Sequence, residues 1–529
     1  MQYKELRQQL EQKYNVLTET WLEDLACQPS GTLYRAWQPC LTNSYRPAQR
    51  FVLLNFRPVS QDVLAHAAWL IEYLDISPCF VLVVTNQPST ADWFLAQPNP
   101  VEVQQISQMV PHFLPIHQTV PQFNTNNRLC AHAWAGLHVW PNGETSVCCD
   151  FQDVIRDQHN QAFNIKSHTI SEILSSDYMN QVRDQFRQGQ KLSACQNCWH
   201  NEQAGGESKH QLTPYKLSNI YPRIDWESNN LDQNMGFIGG HLGNLCNLKC
   251  RICSPVFSSS IATEEIGQEP DIETRSHPTY KLLTNNRWRR NSEQFWQQLK
   301  DHSDQICNFE FLGGEPLLLQ ENLDFMQWLV DNGHSHKCIF EFVSNGTQYP
   351  AVFDRANQFH RLTITLSIDN LQQRFESERH GAHWDQVVTN LQRFVSGRNA
   401  GSNIKIGVCI TVNIQNVLYL PELIKWLNSQ GIDHYYYNIL TNPKWISVDW
   451  LTPEARTLVI DRLMSADLPA DDRVKLFYVI NCVRSATTSD GAEFRKQMRS
   501  KDQIRHQNFI LTHQEIAQAM GFVLQSQDD

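Results

Sequence analysis

Gly243-Asn244-Leu245-Cys246-Asn247-Leu248-Lys249-Cys250-Arg251-Ile252-Cys253 is the stretch on which the reading of this chain turns. Its cysteines are spaced C-x3-C-x2-C and follow an apolar run, Met235 to Leu242, that can be a strand. Thiolates gathered on one loop form a soft ligand set, suited to an iron–sulfur cluster or to zinc. No fourth cysteine lies nearby, so a metal held here keeps one position open, and an open position serves chemistry rather than stapling. The competing reading is a zinc knuckle whose fourth ligand comes from elsewhere, with His241 as the candidate.

The surrounding chain limits the choices. Its 529 residues predict three or four domains at roughly 150 residues each. A hydrophobic content of 41% supports sizeable cores, and a net charge of −11 without a long basic run argues against a dedicated nucleic-acid binder. Arg287-Trp288-Arg289-Arg290 is read as a solvated helix approach rather than a base-stacking site. No apolar run approaches the roughly 20 residues of a membrane span. The charged N-terminus, Met1 to Arg7, lacks a signal-peptide core, so a cytoplasmic protein is expected. There, 15 cysteines read as ligands or buried thiols, not as a disulfide framework. Cys79, Cys338 and Cys409 lie in strand-like runs and belong with the core.

A second cysteine group precedes the first. Cys130, Cys148, Cys195 and Cys198 come from two segments, with Gly143 to Cys148 forming a G-x4-C and Cys195 to Cys198 a C-x2-C. Residues 135–140 and 145–149 should pair as a hairpin turning at Pro141-Asn142-Gly143. A single helix is expected over 169–188. Four cysteines make a full tetrahedral set for zinc or for a [4Fe–4S] cluster, and spacing alone favours zinc. Cys149 should point away from Cys148, because neighbours on a strand face opposite sides.

From 236 onward strand and helix patterns alternate. Strands are expected at 236–242, 308–312, 337–343, 362–368, 405–412 and 434–439, with helices between them at 292–299, 322–332, 384–394 and 418–429. Parallel units of this kind put their working loops at the C-terminal ends of the strands. Those ends carry Gly313-Gly314-Glu315-Pro316, Ser344-Asn345-Gly346-Thr347 and Ser367-Ile368-Asp369. Taken singly, the first two are turns as readily as sites. The glycines would admit a ligand close to backbone, and a carboxylate can accept from an ammonium. At the N-terminus, residues 1–28 read as an amphipathic helix, and 51–56 and 79–85 as buried strands. Residues 446–529 read as helical, with a helix start at Thr452-Pro453 and a capping box at Thr512 to Glu515 that stops at Gly521.

These motifs, in this order, resemble the radical SAM superfamily. The resemblance covers roughly residues 122–440. It implies that Cys246, Cys250 and Cys253 hold a [4Fe–4S] cluster whose fourth iron is chelated by S-adenosylmethionine (SAM). One electron then cleaves SAM to methionine and a 5′-deoxyadenosyl radical. Gly313, Gly314, Glu315 and Pro316 match the motif that takes the SAM amino group. Ser344, Asn345, Ser367 and Asp369 match loops that contact its ribose and methionine parts, and Arg379 matches an arginine that pairs with its carboxylate. Asn413 is a weaker candidate of the same kind. Ile252 stands where the family usually has an aromatic residue near the adenine. Cys130, Cys148, Cys195 and Cys198, with Phe163-Asn164-Ile165 between them, resemble the twitch domain, a shortened SPASM domain. That implies an auxiliary [4Fe–4S] cluster, with zinc as the alternative.

The expected fold is therefore α/β: a radical SAM partial (β/α)6 barrel (213–445), preceded by a small α/β unit (1–120) and a twitch-like domain (121–212), with a helical C-terminal extension (446–529). The expected activity is hydrogen abstraction from a peptide or protein, with a carbohydrate-like or alcohol substrate as the alternative. A zinc-stabilised scaffold is the non-enzyme reading. A flavodoxin or ferredoxin is the expected electron donor, with neither nucleic acid nor membrane as a partner.

Overall fold

The computed structural model describes residues 129–203, 208–217, 220–229, 235–268, 292–432 and 434–523, with residue 283 and two short strands. Those strands, β1 (Phe51–Val52) and β2 (Phe80–Val81), pair in parallel. The expected helix over 1–28 and the Arg287–Arg290 run lie outside the described residues. The chain divides into two units. One comprises Met1–Thr125, Ala204–Gly206 and Ile460–Ser485; the other comprises Asn126–Gln203, Glu207–Val459 and Ala486–Asp529.

The second unit is built on one sheet. In chain order its strands are β3 (Gly136–Val139), β4 (Thr145–Ser146), β5 (Phe237–His241), β7 (Asn308–Leu312), β8 (Ile339–Ser344), β9 (Arg361–Ser367), β11 (Ile404–Val412) and β12 (Tyr435–Ile439). They lie side by side in the order β12-β11-β9-β8-β7-β5-β3-β4. From β5 to β12 each strand is parallel to the next in sequence, with helices such as Gln320–Asp331, Trp384–Asn399 and Leu420–Ser429 in the connections. This is a mixed α/β fold on a mostly parallel sheet, the topology of a partial barrel. A separate ladder joins β6 (Lys249–Cys250) to β10 (Arg379–His380) in antiparallel fashion.

Residue alternation sets the two faces of the sheet. Along β9, Leu362, Ile364 and Leu366 are buried, while Arg361, Thr363, Thr365 and Ser367 are half-buried. The buried face is aromatic at β7 and β8. Phe309 stacks on Phe340 at 4.6 Å, and Phe311 meets Phe342 edge-on. Burying such rings removes large apolar areas from water, at about 25 cal/mol per Å2. The other face is polar and more open.

Two expectations change. The segment 169–188 is two helices, Ile170–Leu174 and Asp177–Arg187. The Ser176 hydroxyl accepts from Met179 N–H and caps the second helix, while Ser175 Oγ bonds back to Ser171 O. Serine side chains that compete for backbone groups break the run. The Thr512 capping box does not form either. Asn508 caps Phe509–Thr512, and the last helix, Gln514–Ala519, starts at His513 without a side-chain cap. Gly521 is left-handed at φ +79°, as a helix stop requires. No helix among the described residues is long and apolar enough to cross a membrane.

The sheet also crosses the boundary drawn from sequence at 212/213. Strand β3 of the cysteine hairpin runs parallel to β5, with His138 opposite Gly239 and Val139 opposite Gly240. A Cβ on Gly240 would stand 2.7 Å from Val139 O, so this close pairing needs glycine.

Candidate active site

The C-x3-C-x2-C loop leaves the C-terminal end of β5 and returns through β6. Neighbouring groups fix its backbone. Ser258 Oγ donates to Leu248 O at 2.7 Å, and Ser260 Oγ donates to Cys246 O at 2.7 Å. Asn244 Nδ2 donates to Pro255 O at 3.1 Å. The Gly-Gly-Glu-Pro turn after β7 closes on the same loop. Glu315 N–H donates to Leu245 O at 2.7 Å. Gly314 has φ +57°, and a Cβ there would sit 2.4 Å from Leu245 O. Only glycine gives this turn both the backbone angle and the space. Gly313, at φ +71°, lies under the His241 ring, which a Cβ would strike at 2.2 Å. His241 itself stacks on Trp140 and shares a 3.1 Å hydrogen bond with His138.

Glu315 is fully buried. Its carboxylate accepts from Ser344 Oγ (2.9 Å), Asn345 N–H (2.6 Å) and Leu317 N–H (3.1 Å). Burial pushes its pKa up to about 7 against these donors. The Ser-Asn-Gly-Thr turn thus braces the Gly-Gly-Glu turn, and it also reaches the cysteine loop. Asn345 Nδ2 donates to Asn247 Oδ1 at 3.0 Å, and Asn247 Nδ2 donates to Thr347 Oγ1 at 3.1 Å. Pro316 is buried at the start of a short turn of helix, and Ser367 is half-buried at the end of β9.

Asp369 and Arg379 face one another. Arg379 Nη2 donates to Asp369 Oδ2, Arg379 Nη1 to Cys250 Sγ at 3.6 Å, and Thr411 N–H to Asp369 Oδ1 at 2.7 Å. Asn413 is buried and closes its own turn, accepting from Gln415 N–H and donating to Thr411 O.

Burial pushes Cys246 and Cys253 up to about 12, with the charge of Cys250 adding to both. Burial raises Cys250 too, opposed by Arg379. Thiols raised this far stay protonated at neutral pH until a metal displaces the proton. Among the described residues, no three His, Cys, Asp or Glu side chains converge to metal-coordinating distance as they stand. All three of these cysteines are free thiols, the soft donor type that iron and zinc take.

Sequence reasoning missed what lies behind the loop. Arg251, between two of the cysteines, is fully buried. Its Nε donates to Ser377 O at 3.1 Å, and its Nη2 pairs with Asp502 and donates to Gln507 Oε1 at 3.0 Å. Arg505 Nη1 donates to Lys249 O at 2.6 Å and its Nη2 pairs with Glu264 at 2.7 Å. Asp502 and Arg505 both belong to the helix Ala492–Arg505. The available signal was Arg251 itself, since a cation inside a buried ligand loop needs a counter-charge.

The second cysteine group is assembled differently. Cys130 precedes the helix Ala131–Ala135, Cys148 follows β4, and Cys195 and Cys198 straddle the start of the helix Gln196–Gln203. Gln152 N–H donates to Ala194 O at 2.7 Å and ties the two halves together. The Trp140 indole N–H donates to Ser146 Oγ, which donates to Cys148 O, so the hairpin presents Cys148. Burial pushes Cys130 up to about 12, with Cys198 adding to it. Burial also raises Cys195, with Cys130 and Cys198 next, and Cys148, with Cys149 and Cys130 next. Cys149 instead accepts from Lys209 Nζ at 3.0 Å, and that ammonium also pairs with Glu310 at 2.9 Å. A cavity of about 580 Å3 opens beside the hairpin, lined by Trp140, Cys149, Asp150 and Asn197 among others.

Residues 130–199 match the family model described as SPASM, an iron–sulfur cluster-binding domain. No curated protein matches the chain. Among solved structures, native anSMEcpe with bound AdoMet is 15% identical at a TM-score of 0.31, and the match covers 48% of this chain and 64% of that one. Streptococcus suis SuiB bound to S-adenosylmethionine is 13% identical at a TM-score of 0.27, covering 64% of this chain and 68% of that one. The chain thus spans less than two thirds of the first of these, and likenesses of this degree carry no argument on their own. What the match shows is a SPASM-type iron–sulfur cluster-binding domain over residues 130–199, and the parallel sheet presents the C-x3-C-x2-C and Gly-Gly-Glu motifs at its strand ends, the order on which the resemblance to the radical SAM superfamily rests.

Proposed function

We propose that the chain is a radical SAM enzyme acting on a peptide or protein. Cys246, Cys250 and Cys253 hold the [4Fe–4S] cluster and leave one coordination position for SAM. Bound there, the cluster and SAM would supply the means of abstracting a hydrogen atom from a substrate carbon. The observation that carries this reading is the lock between two motifs some 70 residues apart: Glu315 N–H on Leu245 O, with Gly314 against the same carbonyl. Such a lock fixes a shelf of backbone beside the cysteine loop, which suits an amino-acid ligand that must meet both. Gly313, Gly314, Glu315 and Pro316 form that shelf, Ser344 and Asn345 brace it, and Ser367 extends the rim at the next strand. These residues bind and orient; the hard chemistry belongs to the cofactors.

Cys130, Cys148, Cys195 and Cys198 would hold a second [4Fe–4S] cluster, a group suited to receiving an electron or to shaping the pocket. The more open face of the sheet offers Thr363, Thr365, Ser367, Tyr436 and Asn438 beside the charged Arg361, Glu310, Glu341 and Lys405, a mixed polar lining that suits the amides and side chains of a peptide. The same hydroxyl-rich face also supports the second reading, oxidation of a carbohydrate-like or alcohol substrate. A flavodoxin or ferredoxin would supply the electron.

The test is iron, sulfide and zinc analysis of anaerobically reconstituted protein, alongside 5′-deoxyadenosine formation from SAM under strong reduction. Wild type should form 5′-deoxyadenosine. The variant with Cys246, Cys250 and Cys253 all changed to Ala should form none while keeping about four irons, one [4Fe–4S] complement. Wild type that binds zinc alone and leaves SAM intact would make the protein a scaffold.

A further inference from the structure

We propose that Arg379 is a positioning residue for the cluster at Cys246, Cys250 and Cys253, donating to Cys250 Sγ and making that cluster easier to reduce. The proposal rests on the cluster reading above and goes beyond it. The carboxylate pairing expected from resemblance would instead direct this guanidinium at SAM.

Backbone pairing comes first. In the β6–β10 ladder Arg379 is the direct partner of Cys250, and His380 of Lys249. Arg251 N–H extends the pairing by donating to Glu378 O at 2.9 Å. Directly opposed residues project from the same face of a ladder, about 5 Å apart. The position of Arg379 beside Cys250 is therefore set by backbone hydrogen bonds, not by a flexible side chain reaching out.

The side chain is then fixed at its tip. Nη1 donates to Cys250 Sγ at 3.6 Å and Nη2 pairs with Asp369. Asp369 is held in turn by Thr411 N–H. Arg379 and Asp369 are 7% and 2% exposed, so neither can turn toward bulk water. Nε alone is buried without a partner. Each Nη keeps a further N–H, so a SAM carboxylate would have to share the guanidinium with Asp369 and Cys250 rather than take the whole fork.

The electrostatic consequence has a sign. A guanidinium keeps its charge even when buried. An electron entering the cluster adds negative charge to its thiolates, and a cation donating to one of them stabilises that state. Leu248 N–H and Asn345 Nδ2, which donate to Cys246, are uncharged. Asp369 moderates the effect, since it faces the same guanidinium with the opposite charge.

The experiment is a spectroscopic redox titration of the full chain, reconstituted and free of SAM. The relevant cluster is the one whose electron-spin signal changes when SAM is added and disappears in the triple-cysteine variant. Arg379→Gln is expected to make this cluster about tenfold harder to reduce at a fixed ambient potential, about 59 mV for one electron. Its SAM affinity, by equilibrium dialysis, should stay within about threefold. Arg379→Lys keeps the charge and should restore most of the shift. Asp369→Asn removes the moderating charge and should move the potential the other way. A loaded Arg379→Gln protein with unchanged potential overturns the proposal, and a tenfold loss of SAM affinity at that potential would return Arg379 to the carboxylate. Should Arg379→Gln fail to load its cluster, Asp369→Asn decides, and an unchanged or lowered potential there overturns it. Loss of no iron in the triple-cysteine variant would instead remove the cluster reading itself.

Discussion

The two groups of candidate cysteine ligands are put together by opposite constructions. Cys130, Cys148, Cys195 and Cys198 are presented by elements that lie within the same stretch of chain, tied by the Gln152–Ala194 hydrogen bond and the β3–β4 hairpin. Cys246, Cys250 and Cys253 sit on one short loop held from outside, by the Gly-Gly-Glu turn in front and by Arg251, Arg505 and Asp502 behind. A complete ligand set can rely on its own covalent neighbourhood. A set that leaves a position open needs its surroundings to hold the thiolates still while that position is used.

The contrast is sharpest at Cys148 and Cys149. Cys148→Ala should remove the N-terminal cluster, with the loss of about four irons. Cys149→Ala should leave the iron intact, because that thiol is turned to Lys209. Equal loss in both variants would mean that the hairpin does not select its ligand. Next in size, Asp502→Asn leaves a buried guanidinium without its counter-charge, at a cost of about 3 kcal/mol. It should reduce iron at the SAM site while the N-terminal site keeps its own; equal loss at both would break the distinction.

A third effect depends on pH. Glu378, whose carbonyl receives Arg251 N–H, carries a carboxyl pushed by burial up to about 7 from 4.5. Burial also holds His513, its 3.2 Å partner, well below the ordinary histidine range, so the pair is neutral rather than ionic near pH 6. A raised folded pKa means that the folded state keeps the proton longer. This contribution is fully present below about pH 4.5 and is lost as pH rises to about 7. Glu378→Gln should therefore match wild type at about pH 4 and exceed its stability at about pH 8 by up to ~3 kcal/mol, read by chemical denaturation. The smallest effect belongs to Ile252→Phe, which restores the family's usual aromatic side chain. SAM affinity by equilibrium dialysis should change by less than about threefold, on the order of 0.6 kcal/mol. A larger gain would show that the loop's apolar contact limits cofactor binding.

Much of this was legible in the sequence, for local reasons. Strand β7 runs over Asn308–Leu312 as its alternation predicts, and the other core strands fall within two residues of expectation. Period-two patterns and turn residues are written into neighbouring positions. The Gly-Gly-Glu and Ser-Asn-Gly turns could be placed at strand ends for the same reason. What could not be read was long-range. Nothing in Gly136-Leu137-His138-Val139 announces a parallel partner about a hundred residues later in Phe237–His241. Nor does the polar helix Ala492–Arg505 reveal that Asp502 and Arg505 serve a loop near residue 250. Arg379 shows the intermediate case. Its motif was visible, but its partner, Cys250, is set by a two-residue ladder too short to leave a pattern.

The hold behind the SAM loop has a consequence for how the protein is made. Arg251 and Asp502 lie 251 residues apart. At ~5–20 residues per second, a ribosome takes about 10–50 s to travel between them. Throughout that interval Cys246, Cys250 and Cys253 are already synthesised but lack their rear support, whereas the last ligand candidate of the other site, Cys198, has only its own neighbourhood to wait for. Thiols in an unsupported loop are open to oxidation before metal reaches them. Oxidative stress during synthesis should therefore damage the two groups unequally, leaving chains that keep the N-terminal thiols and have lost those of Cys246, Cys250 and Cys253.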